Sequence, residues 1–169
     1  MMNCNGQTSV PVVRPATQAG RFYESDARLL SHEVDSLLAR HAPTNGYEDV
    51  AALIVPHAGY YFSGNVAASA YARLNPKASY KRIFLLGPSH HEWLDGASVN
   101  GEADYYGTPL GDVKVDRETA QQLTGGHVFV EEERAADDSK NSLKAHEQGS
   151  DGWVGEFLCD HLERIADAA

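Results

Sequence analysis

The first clear pattern along the chain is an apolar stripe with helical spacing. Its members stand at i, i+4, i+7 and i+8 and are Leu30, Val34, Leu37 and Leu38. This spacing places them on one face of an α-helix. Ser25 or Asp26 is positioned to cap the first turn, and the breaker-rich residues 42–46 end the pattern. We therefore predict an amphipathic helix between cap and breaker.

Two continuous apolar runs, residues 50–55 and 82–86, enclose a second helical pattern. Such runs are typical of strands covered on both faces. The residues with helical spacing between them are Val66, Ala67, Ala70, Tyr71 and Leu74. A strand, helix, strand unit is most simply a right-handed crossover between parallel strands. We predict an α/β fold, with parallel strands in a central sheet flanked by helices.

The rest of the chain carries shorter signals. Residues 111–115 alternate like a half-buried strand, Asp116 is placed to cap a helix through Leu123, and residues 128–130 suggest a short strand. We interpret residues 104–109 as a turn-rich segment. A last apolar stripe predicts an amphipathic helix, formed by Trp153, Val154, Phe157, Leu158, His161, Leu162 and Ile165.

Charge and composition narrow the classes of function. The chain has 169 residues, a formal net charge of −10 and 42% hydrophobic residues. Nucleic-acid binders concentrate Lys and Arg on one face, so an acidic chain is a poor candidate. The apolar runs fall far short of the about 20 residues that a membrane helix needs. We therefore expect neither nucleic acid nor membrane as a partner.

The first residues and the cysteines predict the cellular location of the protein, and its acidic residues are unevenly distributed along the chain. Residues 1–10 show no basic flank followed by an apolar stretch, so we expect a cytoplasmic protein. Cys4 and Cys159 are too few for a disulfide framework, which agrees with a reducing compartment. The acidic excess is uneven, because residues 131–169 hold 11 acidic and 4 basic side chains, a net charge of −7.

Two histidines follow the two predicted strands in matching positions. His57 comes after the first strand and Pro56, and His90 comes after the second strand and residues 87–89. The carboxyl ends of parallel strands meet at one sheet edge, where α/β folds place ligand crevices. Imidazole suits divalent transition metals as well as acid and base roles. The residues alone leave open that each histidine only bonds to the backbone of its loop.

His91 and Tyr60 are the candidate catalytic residues of this crevice. His91 adjoins His90 and would point elsewhere in an extended segment, so it would support the ligands or face the substrate, unless it is simply an exposed loop side chain. Tyr60 heads an aromatic cluster with Tyr61 and Phe62, which is typical of a core or a crevice wall. The sequence contains no phosphate-loop, Rossmann or CxxC motif.

Four short motifs stand in order in the first two-thirds of the chain. They read VRPA with AGRFY at 13–23, IVPHAGY at 54–60, LGPSHH at 86–91 and YGTPLG at 106–111. Together they resemble the motifs of the Memo family, whose bacterial and archaeal members are called AmmeMemoRadiSam system protein B. The resemblance implies a fold related to the class III extradiol, or LigB-like, dioxygenases, which are non-haem iron enzymes.

The resemblance also implies a metal crevice. Carried onto this chain, its ligands are His57 and His90, with His91 near the same crevice. Iron or copper is the implied metal, zinc is a further candidate, and a small molecule or a peptide is the implied occupant. An active chain would then be a metal-dependent oxidoreductase of dioxygenase-like type.

The chain departs from the family pattern after about residue 148. Family members are longer, and their later half supplies Asp, His and Cys residues to the crevice. The nearest substitutes here are more typical of a protein surface; they are His146, Asp151, Cys159 and His161. We therefore expect a truncated or divergent chain that binds a metal weakly unless a further ligand is supplied.

This departure suggests a division of the chain. We predict a flexible N-terminus at 1–12, a Memo-like α/β domain at 13–148 and a divergent acidic C-terminal helix at 149–169. A sheet that lacks later strands exposes an edge and an apolar face. Either the C-terminal helix or a second subunit in a homo-oligomer would cover them.

Three functions compete at this stage. The first is a metal-binding protein with redox or dioxygenase-like capacity. The second is a non-catalytic module that binds a peptide or protein in the same crevice. The third is a metal-dependent hydrolase, which ranks last because no general base is paired by spacing with the histidines.

Overall fold

A computed structural model of the chain describes residues 10–47, 49–88 and 97–124, and the backbone of residues 129–131. Within these residues the architecture is α/β, as the sequence predicts, with short strands and helices in alternation. The strands are β1 (Val13–Arg14), β2 (Ala97–Val99), β3 (Tyr105–Thr108), β4 (Gly111–Lys114) and β5 (Phe129–Glu131). The helices are α1 (Ala27–Arg40), α2 (Asn65–Tyr71) and α3 (Arg117–Thr124).

Helix α1 confirms the first sequence prediction. The Asp26 carboxylate accepts hydrogen bonds from the backbone N–H groups of Arg28 and Leu29, at 2.9 and 3.1 Å. This contact satisfies donors that a helix N-terminus otherwise leaves unpaired. The buried face consists of Leu30, Val34 and Leu37. The local cap and the apolar spacing therefore suffice to define this helix.

The core forms where α1 packs against α2 and the turn before it. A π-helical turn at Tyr60–Gly64 runs directly into α2, whose buried residues are Ala67, Ala68 and Tyr71. Gly64 allows the close approach of α1, since a Cβ atom there would lie 3.3 Å from Leu37 Cδ1. The predicted second helix is confirmed, although its buried face includes Ala68 and leaves Val66 exposed.

Two small sheets complete the described fold. One has the strand order β1-β3-β4, and the other pairs β2 with β5. Strand β1 is parallel to β3, β3 is antiparallel to β4, and β2 is parallel to β5. The β3–β4 hairpin turn is held by the Thr108 hydroxyl, which donates to the Gly111 carbonyl at 2.8 Å. The described sheets thus contain both parallel and antiparallel pairs, and the parallel pairs join segments other than the two predicted as parallel strands.

The later elements confirm several local predictions. Strand β4 alternates in burial, and the Asp116 carboxylate accepts from the Thr119 backbone N–H at 3.0 Å at the start of α3. Strand β5 lies at the predicted short strand. Our interpretation of residues 104–109 as turn-rich is wrong, because most of them form β3, the middle strand of its sheet.

The prediction of buried strands at residues 50–55 and 82–86 is also wrong. Both segments are described, and neither belongs to a strand. Ile54 is fully exposed, and Phe84 and Leu86 are 61% and 78% exposed. A strand needs a neighbouring backbone to pair with, and the recorded parallel pairs use other segments of the chain. Apolar content alone therefore predicted strands that lack a pairing partner in the described part.

Two further points concern the whole chain. The predicted C-terminal helix at 149–169 lies outside the described residues, as does most of the N-terminus at 1–12. Among the helices described, none is both long and apolar enough to cross a lipid bilayer.

Candidate functional site

His57 lies at the edge of an apolar cleft. The cleft has a volume of about 540 Å³ and lies between residues 50–55 and 82–86, with Tyr71 and Leu74 also in its wall. His57 is half-buried and lines the cleft together with Pro88. We call this volume the apolar cleft. One of the two predicted metal ligands therefore opens into a cavity of a size suited to a small ligand.

The other two histidines of the prediction, His90 and His91, lie outside the described residues. The chain that leads to them can be followed as far as Pro88, which lines the apolar cleft with His57. The LGPSHH motif thus approaches the same cavity as the IVPHAGY motif. Convergence of the histidine side chains stays a prediction.

Tyr60 is placed in the core. Its side chain is buried, and its ring lies 5.6 Å from that of Tyr23, at an angle of 40° between the planes. The Tyr60 backbone N–H donates to the Phe22 carbonyl at 2.8 Å. Through this hydrogen bond, Tyr60 links the loop that carries His57 to the segment around Phe22. A catalytic role for Tyr60 stays a prediction.

Small residues after His57 allow its loop to approach Phe22 closely. A Cβ atom at Gly59 would lie 3.2 Å from both Phe22 Cδ1 and the Phe22 carbonyl oxygen, so only glycine permits the approach without displacing a neighbour. The Ser63 hydroxyl donates to the Ala58 carbonyl at 2.7 Å. These contacts fix the backbone directly after His57 and so limit the movement of its imidazole.

The other two aromatic residues of the motif face outward. Tyr61 and Phe62 are 91% and 80% exposed, and their rings meet edge to face at 5.1 Å. The sequence predicts that the three aromatic residues form one cluster, either in the core or in the wall of the crevice. The π-helical turn instead separates them, with Tyr60 inside and its two neighbours in solvent. An exposed aromatic pair of this kind offers a contact surface.

One wall of the apolar cleft is tied to α3 by an ion pair. Arg82 Nε donates to the Asp116 carboxylate at 2.6 Å. The backbone N–H of Thr119, with Arg82 and the Thr119 hydroxyl, lowers the pKa of Asp116 to about 2. Similarly, the Val12 backbone N–H and Arg117 hold the pKa of Asp104 below its ordinary value. Both carboxylates are charged at neutral pH and join separate segments of the fold.

Gln18 is a residue that sequence analysis missed. It is 1% exposed, and neither polar atom of its carboxamide has a hydrogen-bond partner in the described part of the chain. Its backbone carbonyl accepts from the N–H groups of Arg21 and Phe22, both at 3.0 Å. Buried amides without partners are rare and costly. No sequence signal distinguishes such a glutamine from an exposed one.

The described residues do not contain a complete metal site. Within residues 10–47, 49–88 and 97–124, no three His, Cys, Asp or Glu side chains gather closely enough to hold a metal ion. The imidazole of His57 is a suitable donor for iron or copper. Of the two predicted ligands, the structure describes His57, and its role as a ligand stays a prediction.

Comparison with known proteins agrees with the motifs. The family described as "Memo-like protein" matches residues 14–146. A protein from Xenopus laevis named "Protein MEMO1" is 33% identical over 135 residues, which are 80% of this chain and 44% of that protein. The "MEMO1 family protein C4H3.04c" of Schizosaccharomyces pombe is 36% identical over 133 residues, or 78% of this chain and 41% of that protein.

A third relative gives the same result over a shorter stretch. The "MEMO1 family protein MHO1" of Saccharomyces cerevisiae is 36% identical over 111 residues, which are 66% of this chain and 33% of that protein. The chain thus spans less than half the length of the curated relatives it matches. The family match covers most of the chain and includes His57, the cleft segments and the β3–β4 hairpin. On this evidence, the chain belongs to the Memo family.

Proposed function

We propose that this chain forms a metal-binding crevice in which His57 and His90 are ligands of iron or copper. The observation that supports this most is the placement of His57 and Pro88 in one cleft, because Pro88 directly precedes the segment of His90. The proposed activity is redox chemistry of dioxygenase-like type. A bound iron or copper would supply activation of oxygen or of a substrate oxygen.

The residues of the chain contribute position and surroundings. His57 presents a donor at the cleft edge, on a backbone that the Ser63 and Tyr60 hydrogen bonds hold in place. The cleft beside the imidazole has a mostly apolar wall, which includes Leu53, Val55 and Leu85. Two histidines leave several coordination positions to solvent, so the proposed affinity is low unless a further ligand completes the site.

Metal analysis of the full chain tests the proposal. After loading with copper or iron and removal of excess metal, His57→Ala and His90→Ala should each hold less metal than the wild type. His32→Ala is the matched control, because His32 lies exposed on α1, and it should keep the wild-type content. Equal metal content in all four proteins would remove His57 and His90 as ligands.

The exposed aromatic pair favours a second candidate, a module that binds a peptide or protein. Tyr61 and Phe62 lie four and five residues after His57 and face solvent. Binding of this kind would depend on the aromatic pair and would not require a metal. Phe62→Ser should then abolish capture of a peptide partner while leaving the metal content unchanged, whereas the metal-centre proposal predicts the reverse dependence for His57→Ala.

A further inference from the structure

Three Asn-Gly pairs occur along the chain, at positions 5–6, 45–46 and 100–101. In such a pair the backbone nitrogen of the glycine can attack the asparagine carboxamide, because glycine has no Cβ atom to hinder the approach. The product is a five-membered cyclic imide, which water later opens. The pairs at 45–46 and 100–101 lie in the described residues, and their surroundings differ.

The first of these two pairs is open to the reaction. Asn45 and Gly46 are both exposed, in the connection between α1 and the cleft segment that begins at Val50. Neither the Asn45 carboxamide nor the Gly46 N–H has a hydrogen-bond partner among the residues that the structure describes. A Cβ atom at Gly46 would meet no heavy atom within 4 Å. The Asn45 side chain can therefore turn toward the Gly46 nitrogen without breaking a described contact.

The backbone at Gly46 itself requires glycine. Its φ angle is 89°, in the left-handed region that L side chains rarely adopt. A larger residue at this position would be strained even though there is space for its side chain. The conformation of this connection thus keeps an unhindered backbone nitrogen next to Asn45.

The carboxamide of Asn100, by contrast, is held in place. Its Oδ1 accepts hydrogen bonds from the backbone N–H groups of Glu102 and Ala103, both at 3.0 Å. Asn100 directly follows β2 and is half-buried, and Ala103 is buried. Attack by the Gly101 nitrogen would require the carboxamide to leave both hydrogen bonds. These bonds therefore protect Asn100.

The other described asparagines are protected by their neighbours. Asn65 Oδ1 lies 3.0 Å from His41 Nε2, and the β-branched Val66 hinders the nitrogen that follows. Asn75 precedes a proline, which has no backbone N–H. Among the asparagines that the structure describes, Asn45 alone combines an unhindered nitrogen with an unbonded carboxamide.

We propose that the fold selects Asn45 as a site of spontaneous modification, with the chain and water as the reactants. The Gly46 nitrogen forms a bond to Asn45 Cγ, the Cγ–Nδ2 bond breaks, and the proton of the Gly46 N–H leaves with ammonia. Water then opens the imide at either of its two carbonyl groups. One opening gives aspartate at position 45, and the other gives isoaspartate, in which the main chain continues through the former side chain.

The modification alters the connection between α1 and the apolar cleft. It adds one negative charge at position 45, and isoaspartate also lengthens the main chain by one methylene group. The first residue along the chain that lines the cleft is Val50, shortly after this position. The reaction needs no bound metal, so its test is independent of the proposed metal site.

Peptide mapping of the full chain tests the proposal. The folded protein is incubated at neutral pH, digested with trypsin and examined by mass spectrometry, with fragmentation to locate each change. Peptide 41–73 contains Asn45, and peptide 83–114 contains Asn100. Conversion adds the difference in mass between an oxygen atom and an NH group. We expect Asn45 to convert about tenfold faster than Asn100, because the two hydrogen bonds of Asn100 must open first.

The same chain unfolded in urea is the matched control. Both pairs follow a β-branched residue, Thr44 in one and Val99 in the other, so their rates should be similar once the fold is lost. Asn45→Gln identifies the site in the folded chain. It should remove the change from peptide 41–73, because glutamine would have to form a six-membered ring, which closes more slowly.

Three results would overturn the proposal. The first is an equal rate at Asn45 and Asn100 in the folded chain. The second is an unchanged Asn45 in the folded chain under conditions that convert it in urea without loss of the peptide. The third is a difference between the two sites that persists in urea, because the local sequence and not the fold would then select Asn45.

Discussion

At the scale of single residues, His57 lines the apolar cleft, and hydrogen bonds of Ser63 and Tyr60 hold the backbone that follows it. The IVPHAGY motif singles out His57, and its role as a metal ligand stays a prediction. It could not separate Tyr60, in the core, from its exposed neighbours Tyr61 and Phe62, because that difference arises from the π-helical turn. Gln18 shows the same limit, since burial of a polar side chain depends on contacts that are distant in sequence.

Gln18 leads to a prediction about stability. Gln18→Leu replaces a buried carboxamide that has no partner in the described residues with an apolar side chain of similar size. We expect the free energy of unfolding to rise by about 1 kcal/mol, because the desolvation cost of the amide is removed. Urea unfolding measures the change. Gln121→Leu, at an exposed position of α3, is the control and should change stability by less than about 0.5 kcal/mol. A large loss of stability in Gln18→Leu would show that the amide has a partner in solution.

At the scale of elements, a helix or strand is predicted correctly where its sequence signal lies within one segment. Helix α1 was predicted because the Asp26 cap and the apolar face lie within one segment. The same holds for Asp116 and α3. Residues 50–55 and 82–86 were predicted as strands from apolar content, but strand formation depends on a paired neighbour that a single segment cannot specify. Strand β1, of two residues, was missed for the corresponding reason: its partner is β3, far along the chain.

The contacts of Asp116 at the start of α3 predict how the stability of the fold depends on pH. The pKa of Asp116 is about 2 in the folded chain, below the ordinary value of 3.8. The ionised carboxylate therefore stabilises the fold fully above the unfolded pKa, and this contribution disappears as the pH falls through the folded pKa. Asp116→Asn should lose less stability than the wild type between about pH 4 and pH 2.

Urea unfolding at steps across this pH range measures the effect. Asp112→Asn is a matched control, since it removes a nearby carboxylate that makes no ion pair in the described residues. Asp112→Asn should follow the wild-type decline. If Asp116→Asn and the wild type decline in parallel, the contacts of Asp116 with Thr119 and Arg82 do not favour its ionised form in the folded chain.

At the scale of the whole molecule, family membership and architecture agree. The chain belongs to the Memo family over residues 14–146 and has the α/β class that the motifs implied. It spans less than half the length of its curated relatives. The apolar cleft of the described fold is lined in part by exposed apolar side chains, those of Ile54, Phe84 and Leu86.

In the proposed metal site, His57 and His90 share one metal ion at the apolar cleft. Pulsed electron paramagnetic resonance of the full chain loaded with Cu(II) counts the imidazoles on the metal directly. We expect the signature of two imidazoles in the wild type and in the His32→Ala control, and of one imidazole in His57→Ala and in His90→Ala. A spectrum that is the same in all four proteins would contradict the claim.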